Sequence, residues 1–372
     1  MKHVPFKYGG VVQLPYFIDR EREVEELTMS LGSGANVILY SPRRYGKTSL
    51  VHRVSQELES QGITVVYLDF FQVNSREKFL ISYLRAIFDK SSGWEKMLRR
   101  ISGFIRSARL MLTMNEEGKP VLSLEAHPGS SSVLFEEVVN LPEKLADKKR
   151  WVVVFDEFQE VENFDGESFE KELRASIQHH QRVNYVLMGS RKHLLLGIVT
   201  RRNRAFYNFG KLIRLQKIPA EVWLPFLKKG IEQVGLKATD ALAAAIVEEA
   251  DNIPFYVQYL AFEVVETGLI DGRIHEGTIS IALERMMTNQ EDYFRALWES
   301  VSYTQQQTML ALSRENRGIY SKAFLDRYKL HTVSGIQRSV SVLMKRGILD
   351  KSGDEYVFED PVFRRWLLQV GV

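Results

Sequence analysis

Apolar positions in the first 220 residues occur either as short continuous runs or at helical spacing. After Asp19, which is an expected N-cap, Val24, Leu27 and Leu31 follow at three- and four-residue intervals, and this spacing predicts an amphipathic helix. Short apolar runs rich in β-formers predict strands at residues 36–40, 64–70, 151–155, 184–188 and 212–215. Helical stretches, including one at residues 49–60, separate most of these runs. Nearly continuous apolar strands alternating with helices are typical of an α/β fold whose parallel sheet is covered on both faces.

A long insert, residues 75–150, separates the second and third predicted strands. We expect a helix at residues 76–88 and a hairpin at residues 109–127 that turns around residues 115–118. We interpret the insert as decoration of the core.

Beyond Pro219 the pattern becomes helical, and it changes again near Tyr303. Helices are predicted at residues 221–233, 239–250, 254–267 and 279–298. Three further helices are predicted at residues 305–313, 321–328 and 332–346, and two strands at residues 348–350 and 356–358. Helix, helix, helix and a two-stranded wing is the order of a winged helix-turn-helix, and Gly347 fits the C-cap before the wing. We therefore expect domains at residues 1–219, 220–302 and 303–372.

A phosphate-binding turn is indicated where the first predicted strand meets the next helix. Ser41-x-x-x-x-Gly46-Lys47-Thr48 differs from the P-loop pattern G-x-x-x-x-G-K-[ST] only at its first position. In this pattern Gly46 permits close approach of the backbone to the phosphates, Lys47 places a charge on them, and the Thr48 hydroxyl ligates Mg²⁺. The alternative is a chance Gly-Lys-Thr in a loop, but the strand and helix around it are the context that the motif requires. The candidate nucleotide ligands in this turn are Ser41, Pro42, Arg43, Arg44, Tyr45, Gly46, Lys47, Thr48 and Ser49.

Two arginines of the turn, Arg43 and Arg44, leave two interpretations open. Their guanidinium groups either approach the phosphates or are solvated.

The strand at residues 151–155 ends in two carboxylates, Asp156 and Glu157. In a P-loop fold Asp156 would hold Mg²⁺, and Glu157, pointing elsewhere, would polarise the water that attacks the γ-phosphate. The alternative is that both carboxylates are merely solvated. Gln159 and Glu160, which follow, are expected at the surface.

A polar side chain is also expected at the end of the fourth strand. In the predicted sheet this strand lies between the P-loop strand and the acidic strand, so that Ser190 can contact the γ-phosphate or position its water. The alternative is that Gly189-Ser190 is only a turn. Four arginines nearby are candidates for stabilising transition-state charge, with no basis for choosing among Arg191, Arg201, Arg202 and Arg204.

Composition excludes several kinds of chemistry. The 372 residues contain no cysteine, which removes disulfides, iron–sulfur clusters, thiolate zinc sites and cysteine nucleophiles. No run of eighteen apolar residues is present, and the first fifteen residues do not have the form of a secretory signal, so we expect no membrane partner and a cytoplasmic location. The absence of thiols fits chemistry that uses Mg²⁺, lysine and carboxylates.

Several sequence segments together resemble those of a known family. They are Phe17-Ile-Asp-Arg20-Glu21-x-Glu23, Pro42-Arg-Arg-Tyr-Gly-Lys-Thr-Ser-Leu50, Val152-Val-Val-Phe-Asp-Glu157, Gly189-Ser190, Asn252-Ile-Pro254-Phe255 and Glu359-Asp360-Pro361-x-Phe363-x-x-Trp366-Leu367. In these rows the chain resembles the archaeal-type AAA-like ATPases of the STAND and MNS group of P-loop NTPases. The resemblance implies an AAA+-like P-loop core, an all-α helical lid domain and a C-terminal winged helix.

The resemblance also implies candidate adenine contacts. In such proteins the segment before the first helix lies against the base, a role that falls on Phe17, Ile18 and Arg20. In related ATPases a Gly-x-Pro motif caps the adenine base. Here Asn252 replaces the glycine, so only Pro254 is assigned to this role. Phe17 is alternatively a hydrophobic staple for the following helix, and Pro254 alternatively the first residue of its helix.

The predicted winged helix carries more positive charge than the whole chain. Residues 301–372 contain 11 Lys and Arg against 7 Asp and Glu, whereas the net charge of the chain is +3. Gln337 and Arg338, near the start of its third helix, are residue types that read base edges in a major groove. Double-stranded DNA and a protein partner both remain open as ligands of this domain.

Two functions of different classes therefore fit the sequence. The first is an ATP-hydrolysing molecular switch, with Lys47, Glu157 and Ser190 as catalytic residues and Mg²⁺ held by Thr48 and Asp156. The second is a nucleotide-dependent DNA-binding protein, similar to the archaeal origin-recognition ATPases, in which binding matters more than turnover. A non-enzymatic scaffold with a vestigial nucleotide site is a third alternative, and the oligomeric state is not readable.

Overall fold

The computed structural model describes residues 4–90, 94–114, 120–147 and 149–370. These residues form two compact bodies, each described separately below. The sheet body comprises Arg20–Ser41 and Lys47–Gln216. The helical body comprises the described residues up to Asp19, the loop Pro42–Gly46, and the described residues from Lys217 onward.

The sheet body contains seven strands and eight α-helices among its described residues. In chain order they are α1 (Glu21–Gly32), β1 (Val37–Tyr40), α2 (Lys47–Ser60), β2 (Thr64–Asp69), α3 (Arg76–Phe88), α4 (Trp94–Ser102), β3 (Ala108–Met114), β4 (Pro120–Ala126), α5 (Ser131–Val139), α6 (Leu141–Leu145), β5 (Trp151–Asp156), α7 (Gly166–Ile177), β6 (Val183–Gly189), α8 (Lys192–Thr200) and β7 (Lys211–Arg214). Five of the strands form one sheet in the order β2-β5-β6-β1-β7, and every pairing is parallel. The predicted parallel sheet is confirmed, with β6 between β1 and β5.

Both faces of the sheet are covered, which explains why its central strands are continuously apolar. All six residues of β5 are buried. Val152 and Val154 line the same small cavity as Leu27 of α1 and Val51 of α2. Val153 lies in the hydrophobic cluster on the opposite face, because successive strand side chains point to opposite sides.

The insert is part of the core, so its interpretation as decoration was wrong. Phe79 of α3 packs against Phe135 of α5 and Phe169 of α7, with ring centroids 5.7 and 4.9 Å apart. All three rings are fully buried beneath the sheet. The strands predicted at residues 109–127 pair as β3 and β4, and the predicted turn at residues 115–118 lies outside the described residues.

The first helix begins later than expected. Asp19 and Arg20 both have left-handed backbone conformations, with φ of 57° and 81°, and the N-cap is Arg20 without a side-chain cap. The expected Asp19 N-cap was therefore wrong, because an N-capping side chain requires the extended backbone that this residue does not have.

The helical body contains nine α-helices and one hairpin among its described residues. They are α9 (Ala220–Gln233), α10 (Asp240–Glu249), α11 (Pro254–Ile270), α12 (Thr278–Thr288), α13 (Glu291–Glu299), α14 (Tyr303–Arg314), α15 (Lys322–Tyr328), α16 (Val333–Lys345), β8 (Leu349–Ser352), β9 (Glu355–Phe358) and α17 (Pro361–Val370). One continuous apolar cluster runs through these elements. The single helix expected at residues 279–298 was wrong: α12 ends at Thr288, and α13 starts afresh after Gln290.

The winged helix-turn-helix is present as predicted. After α16, Gly347 has φ 69° and its N–H bonds to the Met344 carbonyl, while the Ile348 N–H bonds to the Leu343 carbonyl. These two bonds form the helix-terminating motif that favours glycine. The pair β8–β9 then forms the wing, and α17, which the periodicity did not reveal, closes the domain.

No helix among the described residues has both the length and the apolar content to cross a bilayer.

Replacing Phe79 with alanine tests the structural role of the insert. Phe79 is 0% exposed, so its removal leaves a cavity and we expect a loss of about 3–5 kcal/mol in the free energy of unfolding. Phe71→Ala is the matched control, because Phe71 is 53% exposed and its loss should cost less than about 1 kcal/mol. Urea denaturation followed by tryptophan fluorescence measures both. Equal effects of the two substitutions would contradict the assignment of α3 to the core.

Candidate active site at the carboxyl ends of the strands

The flanks of the phosphate-binding turn lie at the end of β1 and the start of α2. Ser41 is fully buried, and its carbonyl accepts a hydrogen bond of 3.0 Å from the Lys47 ammonium. Lys47 is 6% exposed, so its ammonium group is held in place by protein contacts, including the Ser41 carbonyl, and has little contact with solvent. Gly46 has φ 89°, a conformation that favours glycine. Thr48, the next residue of α2, is exposed.

Asp156 ends β5 inside the sheet body. It is 7% exposed, and its carboxylate accepts a hydrogen bond of 2.8 Å from the Glu157 N–H and another from the Tyr67 hydroxyl. The Thr48 side chain also hydrogen bonds to Tyr67. Tyr67 of β2 therefore joins the two residues predicted to hold Mg²⁺, a role that sequence reasoning missed. The only sequence signal for this role is that Tyr67 carries a hydroxyl and lies on the same face of β2 as Asp69.

The Asp156 carboxylate is held under electrostatic strain. Its pKa is raised from 3.8 to about 6, chiefly by burial and also by the charge of the neighbouring Glu157, although the Tyr67 hydrogen bond and the Lys47 charge lower it. A carboxylate whose negative charge is poorly solvated gains most from a nearby cation.

Glu157 points away from Asp156 and toward the end of β6. Its backbone is left-handed, with φ 50°, which turns the two adjacent side chains apart. One carboxylate oxygen, Oε2, accepts hydrogen bonds from the Ser190 N–H at 3.0 Å, the Ser190 hydroxyl at 2.8 Å and the Gln159 amide at 2.5 Å. The structure thus brings Ser190 to Glu157, since β6 is the neighbour of β5.

Gln159 and Glu160 are buried, so the expectation that they lie at the surface was wrong. They sit in the 3-10 turn Phe158–Asn163 that follows β5. Gln159 is 1% exposed and packs against Gly189, where an added Cβ would lie 2.1 Å from the glutamine Oε1. Nothing in the sequence distinguishes a buried amide in such a turn from an exposed one.

Two of the four candidate arginines near β6 are paired with carboxylates. Arg204 pairs with buried Glu170 and with Glu162, and these partners raise its pKa. Arg191 lies 3.4 Å from Glu160. The side chains of Arg201 and Arg202 are exposed.

The candidate adenine contacts divide between the bodies. In the helical body, Ile18 packs against the apolar cluster, and Pro254 is the first residue of α11, as its structural alternative proposed. Phe17 is half-buried there, and its N–H bonds to the Gln13 carbonyl. In the sheet body, Arg20 is buried and donates to Glu23 and to the Gln216 carbonyl.

Asn252, where related ATPases have glycine, has φ 50°. Asparagine tolerates this left-handed conformation better than most residues do. Its side-chain oxygen accepts from the Trp223 indole, and its amide donates to the Ile218 carbonyl.

The loop Pro42–Gly46 belongs to the helical body, where Arg44 has protein partners. Its guanidinium pairs with Asp360 at 2.9 Å and lies 4.7 Å from the centre of the Tyr256 ring. The solvated interpretation is therefore wrong for Arg44, whereas its role in phosphate binding stays a prediction.

The oxygen donors of the site fit Mg²⁺. Thr48 and Asp156 supply a hydroxyl and a carboxylate, the donor types that this ion prefers. The described residues contain no group of three or more His, Cys, Asp or Glu able to hold a metal ion. Mg²⁺ held by one or two protein oxygens completes its shell with substrate phosphates and water.

Residues 17–260 match the family described as "ATPase domain predominantly from Archaea". The chain belongs to this family. Residues 292–369 match a second model, described as "Probable winged helix domain". The chain is therefore a P-loop NTPase fold with a parallel-sheet core, a helical remainder and a C-terminal winged helix. None of the curated proteins matches it by sequence.

Solved structures of similar fold extend over nearly the whole chain. The Walker-type ATPase of Pyrococcus abyssi shares 20% identity and a TM-score of 0.67, with 98% of this chain and 99% of that chain covered. Aeropyrum pernix ORC2, in ADPNP–ADP complexes, shares 16% identity and a TM-score of 0.57, with 98% and 97% covered. Aeropyrum pernix ORC1, in complex with DNA, shares 16% identity and a TM-score of 0.52, with 96% and 95% covered. At these identities the likeness concerns the fold.

The raised pKa of Asp156 predicts a pH-dependent gain in stability from Asp156→Asn. A carboxyl whose pKa is higher in the folded state costs stability as pH rises from about 4 to 6, and the cost is complete above that window. We expect the variant to be more stable by about 3 kcal/mol at pH 8 and by less at pH 5. Thermal unfolding at the two pH values measures this. Asp89→Asn, at an exposed position, is the control, and a gain that does not depend on pH would contradict the assignment.

Proposed function

We propose that this protein is an ATP-hydrolysing molecular switch of the STAND and MNS group, whose nucleotide state is relayed to its winged helix. The arrangement of Asp156, Glu157 and Ser190 at the ends of β5 and β6 carries this proposal. Family membership supplies the ATPase fold, and the site supplies a second carboxylate directed away from the first. Three hydrogen-bond donors fix the orientation of the Glu157 carboxylate.

In the proposed reaction the nucleotide phosphates lie on the turn from Ser41 to Ser49. Lys47 neutralises charge on the β and γ phosphates. Thr48 and Asp156 would hold Mg²⁺, which neutralises the charge that develops on the phosphate oxygens. The adenine is assigned to Phe17, Ile18, Arg20 and Pro254, as the family resemblance implies.

Glu157 is the proposed base for the attacking water. With Oε2 committed to Ser190 and Gln159, its other oxygen, Oε1, is assigned to polarising the water on the γ-phosphate. Ser190 donates to this carboxylate, and its proposed role is to contact the γ-phosphate or to position its water.

We retain the division into a core at residues 1–219, a helical lid at 220–302 and a winged helix at 303–372 as part of the proposal. The cytoplasmic location expected from the sequence stays a prediction. The partner of the winged helix is proposed to be a protein or double-stranded DNA.

Replacing Glu157 with glutamine tests the proposed base. The amide keeps the shape of the side chain but cannot accept a proton, so we expect phosphate release to fall about 100-fold or more while ATP still binds. Steady-state phosphate release and calorimetric titration with ATP measure the two quantities. Glu167→Gln, on the exposed start of α7, is the matched control.

Three outcomes separate the hypotheses. Equal turnover by the wild type and Glu157→Gln would remove Glu157 from catalysis. Binding of ATP without turnover in the wild type would favour a role in which binding itself matters. Absence of ATP binding would indicate a scaffold with a vestigial nucleotide site.

A second candidate function, nucleotide-dependent DNA binding, is favoured by the outer face of α16. Ile336 and Val340 face the core, whereas Ser334, Gln337 and Arg338 are exposed. An exposed polar face on the third helix of a winged helix is the surface that enters a major groove in DNA-binding members of this fold.

Replacing Arg338 with alanine tests this second function. If Arg338 contacts a phosphate, duplex affinity falls and the slope of log affinity against log salt decreases by about 1, because one fewer counterion is released. Fluorescence anisotropy with a labelled duplex, with and without ATP, measures this, and Arg273→Ala at an exposed loop position is the control. No duplex binding at low salt would reject the function.

A further inference from the structure

Arg44 connects the phosphate-binding turn to the winged helix within the helical body. The residue lies in the turn, two positions before Gly46, and its guanidinium pairs with Asp360 at the start of α17. Its carbonyl accepts a hydrogen bond of 3.3 Å from the Phe255 N–H at the start of α11. The same guanidinium lies over the rings of Phe255 and Tyr256, 5.1 and 4.7 Å from their centres.

The backbone at Arg44 is itself constrained. Its φ is 67°, which is a left-handed conformation. This conformation costs free energy in any residue that has a side chain, and it persists only where the surroundings impose it. The contacts with Asp360, Phe255 and Tyr256 supply those surroundings.

Asp360 performs two tasks with different oxygens of its carboxylate. Oδ1 accepts hydrogen bonds of 2.9 and 3.0 Å from the N–H groups of Val362 and Phe363, so the side chain caps α17. Oδ2 accepts the bond from Arg44. Capping requires only a short polar side chain, whereas the bond to Arg44 benefits from the negative charge. The two tasks can therefore be separated by substitution.

The ion pair between Arg44 and Asp360 is one that nucleotide phosphates can compete with. Asp360 is 15% exposed, and burial raises its pKa even though the Arg44 charge and the two capping bonds lower it. The arginine therefore offsets only part of the cost of burying this carboxylate. A group of phosphates with several negative charges is a strong competitor for a guanidinium, which binds phosphate oxygens in a bidentate manner.

We propose that Asp360 of the winged helix is a positioning residue for the phosphate-binding turn, which holds Arg44 away from the nucleotide phosphates until they displace it. This inference rests on the proposed nucleotide site and names its regulation. The winged helix sets the nucleotide affinity by occupying Arg44. Because coupling between two equilibria is reciprocal, bound nucleotide weakens the hold of Asp360 on Arg44 by the same factor.

Asp360→Asn and Asp360→Ser test the inference, because both residues cap a helix well but carry no charge. We expect each variant to bind ATP about 5-fold or more tightly than the wild type, since Arg44 becomes available to the phosphates. The gain must depend on Arg44, so that Asp360→Asn added to Arg44→Gln gives no gain over Arg44→Gln alone. Calorimetric titration of the full chain with ATP and Mg²⁺ measures the wild type and these four variants.

Two controls isolate the effect. Asp354→Asn, in the exposed wing turn, removes the same charge from the same domain and should leave ATP affinity unchanged. Thermal unfolding shows whether α17 retains its cap, which Asp360→Ala, the uncapped comparison, is expected to lose.

Unchanged or weaker ATP binding by both capping variants would overturn the inference while leaving the proposed ATPase intact. A gain that persists without Arg44 would overturn it as well. Absence of ATP binding by the wild type and by every variant would instead overturn the proposed function, and the inference with it.

Discussion

The common direction of the strands is the constraint on which the rest of the site depends. Because β1, β5 and β6 are parallel neighbours, their carboxyl ends share one edge of the sheet. The chain needs only a short polar sequence after each strand to place Lys47, Asp156 and Ser190 at that edge. The continuously apolar strands are the consequence, since helices cover both faces and only the ends remain for polar chemistry.

The same edge carries a thermodynamic cost. Asp156 is a buried carboxylate without a full complement of positive charge, and burial raises its pKa. Glu157, one residue later, has a left-handed backbone, and its carboxylate accepts hydrogen bonds from Ser190 and Gln159. Two adjacent carboxylates thus have different surroundings, which is how a fold assigns two chemical roles to the same residue type.

The chain passes through both bodies within the phosphate-binding turn. Ser41 and Lys47 belong to the sheet body, whereas Pro42–Gly46 belongs to the helical body. Within the helical body, Arg44 of this loop pairs with Asp360 and lies over the rings of Phe255 and Tyr256. The proposed switch requires contacts of this kind to differ between nucleotide states, because a ligand shifts an equilibrium only through contacts that differ between the two states.

The sequence by itself determined the local elements and the chemistry of the motif. The β-rich apolar runs located all five sheet strands, and the order of helices and wing located the winged helix, because burial and turn chemistry act over a few residues. The phosphate-binding turn around Gly46 and Lys47 could be predicted from the sequence for the same reason. Tertiary structure alone decided which polar groups meet. The Tyr67 hydroxyl on Asp156, the buried Gln159 on Glu157 and the pairing of Arg44 with Asp360, 316 positions later, depend on strand order and packing. No periodicity in the sequence encodes such distant contacts, because each partner is locally an ordinary polar residue.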